Sequence, residues 1–365
     1  MEAIILAGGF GTRLRPLTCT RPKLMFPIAN RPLLDWTLES LARRNIKKVI
    51  LAVNYMAEVI EKSIGSSRYG MRIEYSRETK PLGTGGPIKK AENLLDNDET
   101  FFVLNGDILS GINYTEMQKV HGGFNAEATI ALHEVEDPSS FGIVEMNGKD
   151  QVMKFIEKPE PEKAPSKLAN AGVYVLKRTV LEGIPHEAKV SIEREVFPKL
   201  AERGELYGYR FDGLWADVGK PKDYMSADMR MLDDIAKDKP IIGEGVKIHS
   251  DAMIHTPAAI GDRVVVGEGS SIGPYVSIGN DTNIGRGTKI QNSIIFPRVW
   301  IDNFTSIKGA IVGEATIVGQ WVKIEDQCIV GDYVNILDNV TLTKKVKICH
   351  SKEVDSSILD PGAVM

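Results

Sequence analysis

Ala3-Ile4-Ile5-Leu6-Ala7-Gly8-Gly9-Phe10-Gly11-Thr12-Arg13 stands near the start of the chain, and Pro22-Lys23 follows ten residues after the arginine. A short apolar run bounded by glycines reads as a buried strand. Glycines let backbone N–H groups turn inward and approach a phosphate closely, because no Cβ intervenes. Arg13 and Lys23 add two cations to a loop already rich in donors. Strand, glycine turn and placed cations together are what a triphosphate requires. Two familiar phosphate templates do not fit. A dinucleotide fingerprint counted from Gly9 needs glycine where Leu14 stands, and one counted from Gly8 meets Phe10. The Gly-Lys-Ser/Thr tripeptide of a Walker A loop is absent.

Working outward, the chain, long enough for two cores, alternates strands and helices up to about residue 236. Pro32 is placed to open a helix with Leu34, Leu38, Leu41 and Ala42 on one face. Val49–Val53 reads as a buried strand, Ala57–Ile64 as a helix, Met71–Tyr75 as a strand and Pro87–Leu95 as a helix. Phe101–Leu104 is the next strand and ends in Asn105-Gly106-Asp107. Such alternation predicts an α/β domain with a mostly parallel sheet, whose ligands collect at the carboxyl ends of the strands.

From Ile242 the pattern changes. Aliphatic residues recur every six positions at Ile242, Ile248, Ile254, Ile260, Val266, Ile272, Ile278, Ile284 and Ile290, often with glycine next. The register slips by one after Ile290 and again after Ile307, then runs from Val312 to Ile348. A helix does not sustain a period of six, whereas a parallel β-helix does. Three strands per coil predict about six coils, roughly 30 Å of stack. A helix over Ser226–Lys237 and Pro240 mark the junction, giving expected domains of 1–236 and 237–365.

Composition limits the function. The chain has 365 residues, 42% hydrophobic and 26% charged, with net charge −4 spread along its length. Nothing there suggests a nucleic-acid or membrane surface. Cys19, Cys328 and Cys349 are odd in number and scattered, which predicts neither a disulfide framework nor a metal cluster. No 18-residue apolar run and no basic leader occur, so a cytoplasmic location is expected.

Asp107 and Asp217 are carboxylates at strand ends among apolar neighbours, with Gly106 and Gly219 close by. Either one alone suits a turn or a cap; as a pair beside a phosphate loop they suit Mg²⁺, which keeps waters and takes further ligands from substrate phosphates. Glu157-Lys158 follows a strand and is either a solvated pair or a sugar-hydroxyl acceptor beside a phosphate anchor. Asn170-Ala171-Gly172 fits a simple turn equally well. Pro81-Leu82-Gly83-Thr84-Gly85-Gly86-Pro87 is a second glycine-rich segment, either a bare loop or a close approach to a flat base.

In order and spacing, Gly8–Leu14 with Pro22-Lys23, Gly106-Asp107, Phe155–Pro159 and Trp215–Gly219 resemble the sugar-nucleotide pyrophosphorylases, nucleotidyltransferases that act on sugar 1-phosphates. The resemblance covers the whole chain. Pro81–Thr84, Ser191–Pro198, Gly219–Tyr224, Ile311-Val312-Gly313, Val318–Val322 and the final methionine are similar to the GDP-mannose pyrophosphorylase branch. It implies a Rossmann-like mixed sheet followed by a left-handed β-helix; because coil ends expose unpaired strand edges that solenoids cover with caps or partners, a homo-oligomer through the β-helix is expected. It also implies transfer of a nucleotidyl group from a triphosphate, GTP in this branch, to a sugar 1-phosphate, with Mg²⁺ on Asp107 and Asp217. Leu6, Gly8, Gly9, Gly11, Thr12, Gly83, Thr84 and Gly106 would hold the nucleotide. Arg13 would face the departing pyrophosphate, and Lys23 the reacting phosphates. Gly142, Glu157, Lys158 and Asn170 would hold the sugar phosphate.

Glucose 1-phosphate with another base, or a weakly active regulatory subunit of the same fold, are alternatives. Acyl transfer on the β-helix would need a base among His249, His255 and His350 on a loop that interrupts the coils. No long insertion breaks the repeat.

Overall fold

The continuous apolar runs become the centre of a ten-stranded mixed sheet. A computed structural model describes residues 1–96 and 98–365. Thr100–Asn105, Glu2–Ala7, Lys48–Val53 and Met71–Arg77 lie side by side and parallel, with Ile4 opposite Val103 on one flank and Ile50 on the other. Ala3, Ile4 and Ile5 are fully buried, as strands covered on both faces must be. On the far flank the sheet turns antiparallel. Leu168–Lys177 pairs with Thr100–Asn105 and with Ala128–Glu134, while Gly142–Met146 pairs with Val152–Glu157.

Several local expectations shift by a few residues. The helix expected over Pro87–Leu95 runs from Gly85 to Ala91 and continues as a 3-10 turn, Glu92–Leu94. Its first N–H, on Gly85, donates outward to Val190 O at 2.8 Å, so the helix starts before the proline, which tolerates first-turn positions. The junction helix is Pro221–Ile235, opened by its proline five residues earlier than the apolar spacing indicated. Asn170-Ala171-Gly172 is not a turn. It lies inside the strand Leu168–Lys177, where the register shifts and Gly172 adopts φ +74°, a bulge.

The six-residue repeat folds as a left-handed parallel β-helix with three sheets of seven, seven and six strands, slightly longer than expected. Ile260, Ile278, Ile295, Val312, Val330 and Ile348 stack in register, so the two slips are absorbed as two shortened coils. Ile242 and Ile248 begin the repeat yet are 43% and 39% exposed, because they sit on the first coil with no coil beneath. At the other end Ile358 and Ala363 pack on the core, and Leu342 and Lys347 bridge to Ile358 and Val364.

Packing divides the chain into two compact units that are not consecutive in sequence. One is Met1–Gly9 with Leu34–Ala216; the other is Phe10–Leu33 with Asp217–Met365. The cationic loop and the junction helix therefore belong with the β-helix. Phe26 shows why: its ring packs on Tyr224 at 5.2 Å and on Phe296 at 6.0 Å, all three fully buried.

Candidate active site

Within the sheet unit, the ends of the first and fourth central strands are tied together. Gly106 N donates to Leu6 O at 3.0 Å, so the Leu6-to-Gly8 exit and Asp107 lie at neighbouring strand ends. A Cβ on Gly8 would lie 3.0 Å from Glu78 Oε1 and 3.3 Å from Asn54 Cβ, a tight fit in which the neighbours would have to give by a few tenths of an ångström; Gly9 faces open space. Glu78 Oε2 in turn accepts from Leu82 N at 3.0 Å. This carboxylate, which the sequence reading did not single out, touches both glycine segments expected to hold a nucleotide. Burial pushes its pKa up.

Gly83 has φ +78°, and a Cβ on it would lie 2.4 Å from Val190 O. Thr84 donates its N–H to the same carbonyl at 3.0 Å and its hydroxyl to Glu193 Oε2 at 2.5 Å. The second glycine segment thus has a packing reason of its own. Glu193 sits on a wide π turn, Ile192–Val196, and also accepts from Ser191 Oγ at 2.8 Å. Such turns occur often at functional sites.

Antiparallel register sets Gly142 opposite Glu157. A Cβ at 142 would lie 2.6 Å from Phe155 Cζ and 2.7 Å from Glu157 Oε2, so only glycine lets the carboxylate fold over the strand. Glu157 is raised in pKa first by burial and then by the negative charge of Glu193, while Lys158 and Arg194 oppose the shift. Lys158 is exposed with φ +52°, its ammonium 3.7 Å from Glu157. Asn170 Nδ2 donates to Tyr174 Oη at 3.0 Å and Oδ1 accepts from Gly172 N at 3.0 Å. Tyr174 is fully buried and held well above the usual phenol range by burial, then by Glu193. Gly142, Glu157, Asn170, Tyr174 and Glu193 therefore form one acceptor-rich group, buried except for the partly exposed Glu157 and Asn170.

Within the β-helix unit, Gly11 caps the short turn Thr12–Leu14 with φ +59°, fixed by Thr18 Oγ1 donating to Gly11 O at 2.9 Å. Arg13 is exposed on that turn. A second short turn, Leu17–Cys19, follows; Lys23 opens the third, Lys23–Met25, and is only 7% exposed. Its ammonium lies 4.0 Å from Asp217 Oδ1. A Cβ on Gly219 would be 3.2 Å from Asp217 Oδ2 and 3.3 Å from Arg13 Nη2, so the missing side chain leaves room for carboxylate and guanidinium side by side. Hard carboxylate oxygens in such a cradle fit a hard divalent cation that draws its remaining ligands from water and phosphate. Among the described residues no group of three or more His, Cys, Asp or Glu could hold a metal ion.

His249, His255 and His350 all lie exposed along the coils. No helix among the described residues is long and apolar enough to cross a membrane.

The nucleotidyl transferase family model matches residues 2–234. The chain belongs to that family. A second model, the GMPPB C-terminal domain, matches residues 254–364 of this nucleotidyl transferase. A mannose-1-phosphate guanyltransferase of Yarrowia lipolytica is 40% identical over the whole of both chains. The mannose-1-phosphate guanylyltransferase catalytic subunit beta of Dictyostelium discoideum is 36% identical, again over the whole of both. Among solved structures, HddC from Yersinia pseudotuberculosis superposes with TM-score 0.55 at 28% identity, over 63% of this transferase and 99% of HddC. HddC has also been solved complexed with GMP-PN. Glu78, Tyr174 and Glu193 are the positions of this transferase that sequence reading passed over. Only the stretch around Glu193, within Ser191–Pro198, carried any signal.

Proposed function

We propose that this nucleotidyl transferase moves a guanylyl group from GTP to mannose 1-phosphate and releases pyrophosphate. One observation carries the chemistry: Arg13 and Lys23 converge on Asp217 around the side-chain-free Gly219. The choice of base and sugar is supported by relatives of that name, alike over their full length. Glu78 adds support, since a carboxylate acceptor complements the adjacent N1–H and N2–H of guanine.

The attacking group is a phosphate oxygen of the sugar 1-phosphate. It forms a bond to the α-phosphorus while the bond to the bridging oxygen breaks, and that electron pair leaves with pyrophosphate. The nucleophile is already an anion, so the chain needs neither a covalent intermediate nor a general base, only positioning and neutralised charge. Arg13 stabilises the departing pyrophosphate and Lys23 the phosphates at the reacting centre. The N–H groups of Gly8, Gly9, Gly11 and Thr12 line the triphosphate, with Leu6, Gly83, Thr84 and Gly106 completing the nucleotide contacts. Lys158 anchors the sugar phosphate, while Glu157 and Asn170 accept and donate to its hydroxyls beside Gly142. A divalent cation, Mg²⁺ in this reading, would be held by Asp107 and Asp217 and supplies charge neutralisation when bound.

In this reading the enzyme works in the cytoplasm, a reducing compartment in which Cys19, Cys328 and Cys349 would stay thiols. It assembles as a homo-oligomer through the β-helix, whose first coil exposes Ile241, Ile242, Ile248 and Met253. A single monomeric species in sedimentation at micromolar concentration contradicts that assembly.

Pyrophosphate release across a panel of triphosphates and sugar 1-phosphates tests the function. GTP with mannose 1-phosphate is expected to give the highest kcat/KM. Release from no pair overturns the enzyme, and a better rate with glucose 1-phosphate and another base overturns the substrates.

A further inference from the structure

The repeat places glycine after its stacked aliphatic at Gly243, Gly261, Gly279, Gly313 and Gly331, but the equivalent position between them is Phe296. That ring is fully buried, with the Arg21 guanidinium 4.6 Å above it and Phe26 edge-on beside it. On the next two coils, the residues following glycine are Glu314 and Asp332. Arg21 Nη2 donates to both, at 2.7 Å to Asp332 Oδ2. Thr20 Oγ1 donates to the same oxygen at 2.6 Å. The other Asp332 oxygen is fixed by Glu314 N at 2.7 Å, and Asp332 is 1% exposed. Three successive corners of the solenoid thus form one socket for Arg21.

The far leg of the same loop is held too. Tyr224 Oη donates to Pro27 O at 2.6 Å, and Ala29 N donates to Asp228 Oδ1 at 2.7 Å. Ser277, on a β-helix strand, donates to Asp228, and Asn30 Nδ2 donates to Ala259 O at 3.0 Å. Ala29 and Asn30 both have positive φ, which asparagine tolerates but alanine keeps only where its surroundings hold it. Lys23 lies between these two clamps, two residues after Arg21. Pro22 at φ −69° and the bonds Met25 N to Pro22 O and Phe26 N to Lys23 O fix the short span between.

We propose that the β-helix is the jig that sets Lys23 for reaction, and that Asp332, with Phe296 and Glu314, is a positioning residue acting through Arg21. The inference rests on the proposed role of Lys23 at the reacting phosphates. A hydrophobic contact would hold the loop against the coils as firmly. A guanidinium bonded by two carboxylates over a ring also fixes its orientation, which is what a catalytic lysine two residues away needs.

The test uses the full-length enzyme with GTP and mannose 1-phosphate, with kcat and KM expressed per folded molecule from circular dichroism. Asp332→Asn keeps the shape and removes the charge. Thr20→Val leaves every charge in place and removes the hydroxyl that bonds Asp332 at 2.6 Å and reaches Leu17 O at 3.2 Å, so it serves even where Asp332→Asn does not fold. Displacing a reacting group by a fraction of an ångström predicts a fall in kcat of about tenfold for Asp332→Asn and about threefold for Thr20→Val, with KM for GTP changing less. In a Lys23→Met background, adding either change lowers kcat less than about twofold, because the group being positioned is gone. Equal losses in both backgrounds, or unaltered kcat in both single variants while Lys23→Met is impaired, overturn the inference alone. A Lys23→Met enzyme with wild-type kcat overturns the role of Lys23 and the inference with it.

Discussion

Asp228 tests the packing of the catalytic loop through pH. Its carboxylate is fully buried on the junction helix and accepts from Ala29 N and from Ser277 Oγ. Burial raises its pKa from 3.8 to about 6, the two hydrogen bonds offsetting only part of the desolvation. In the folded chain the group holds its proton more tightly than in the unfolded one. Its contribution to stability is therefore fully present below pH ~3.8 and is lost as pH rises through about 6. A shift of about two units corresponds to roughly 3 kcal/mol at most. Asp228→Asn carries the neutral form's shape at every pH: its oxygen accepts from Ala29 N and its amide donates to the Ser277 hydroxyl. The variant is expected to match wild type near pH 4 and to be more stable by about 1–3 kcal/mol at pH 8. For a unit of 150–250 residues that is about 2–12 °C in Tm. Thermal unfolding followed by circular dichroism from pH 4 to 8 reads it directly. A variant less stable than wild type at pH 8, or a difference that does not change with pH, refutes the assignment of a buried ionised carboxylate.

Asp217→Asn leaves Lys23 and Arg13 in place but removes the charge between them, and kcat is expected to fall by about 100-fold or more with the fold intact by circular dichroism. Gly142→Ala pushes a methyl to within 2.6 Å of Phe155 and 2.7 Å of Glu157. It should cost about 1–3 kcal/mol of stability and displace the carboxylate, raising KM for the sugar 1-phosphate more than KM for GTP in steady-state kinetics. Glu78→Gln keeps the bond from Leu82 N and replaces one acceptor oxygen with a donor. The ratio of kcat/KM for GTP to that for other triphosphates should drop by about tenfold, and an unchanged ratio removes Glu78 from base recognition.

Much of the fold was legible because its signals are local. Ala3–Ala7 and Val49–Val53 are unbroken apolar runs, as strands buried on both faces require, and a period of six kept through two slips admits few architectures. Of the candidate site, the glycines and the charged residues were visible as motifs, but their partners were not. Gly142 is explained by a carboxylate fifteen residues on, through antiparallel register that no spacing rule displays. Glu193 and Tyr174 look like ordinary helix and strand residues until the sheet brings them beside Glu157. Arg21 and Asp332 are 311 residues apart. The one local trace of their meeting was an interruption: phenylalanine where the repeat calls for glycine.

That interruption explains why packing cuts across the sequence pattern. Along one edge of the coils the corner residues are left-handed, and the N–H of each is fixed by the preceding coil: Arg263 by Glu244 O, Asp281 by Asp262 O, Tyr333 by Glu314 O, Ser351 by Asp332 O. The neighbouring N–H groups take a side-chain oxygen from the next coil: Glu244 from Asp262, Asp262 from Asn280, Glu314 from Asp332. Where an Asp or Asn stands at these corners, its side-chain oxygen pairs a turn N–H of the preceding coil. A carboxylate spends one oxygen on that task and keeps the other. At Asp332 the second oxygen meets Arg21 and Thr20, and the corner two coils before it supplies a ring in place of a glycine. A carboxylate that pairs the turn of one coil thus also furnishes the anchor of the loop that carries Lys23. Replacing the coils by others of equal stability would be expected to preserve the solenoid and lose the alignment, unless these three corners were kept.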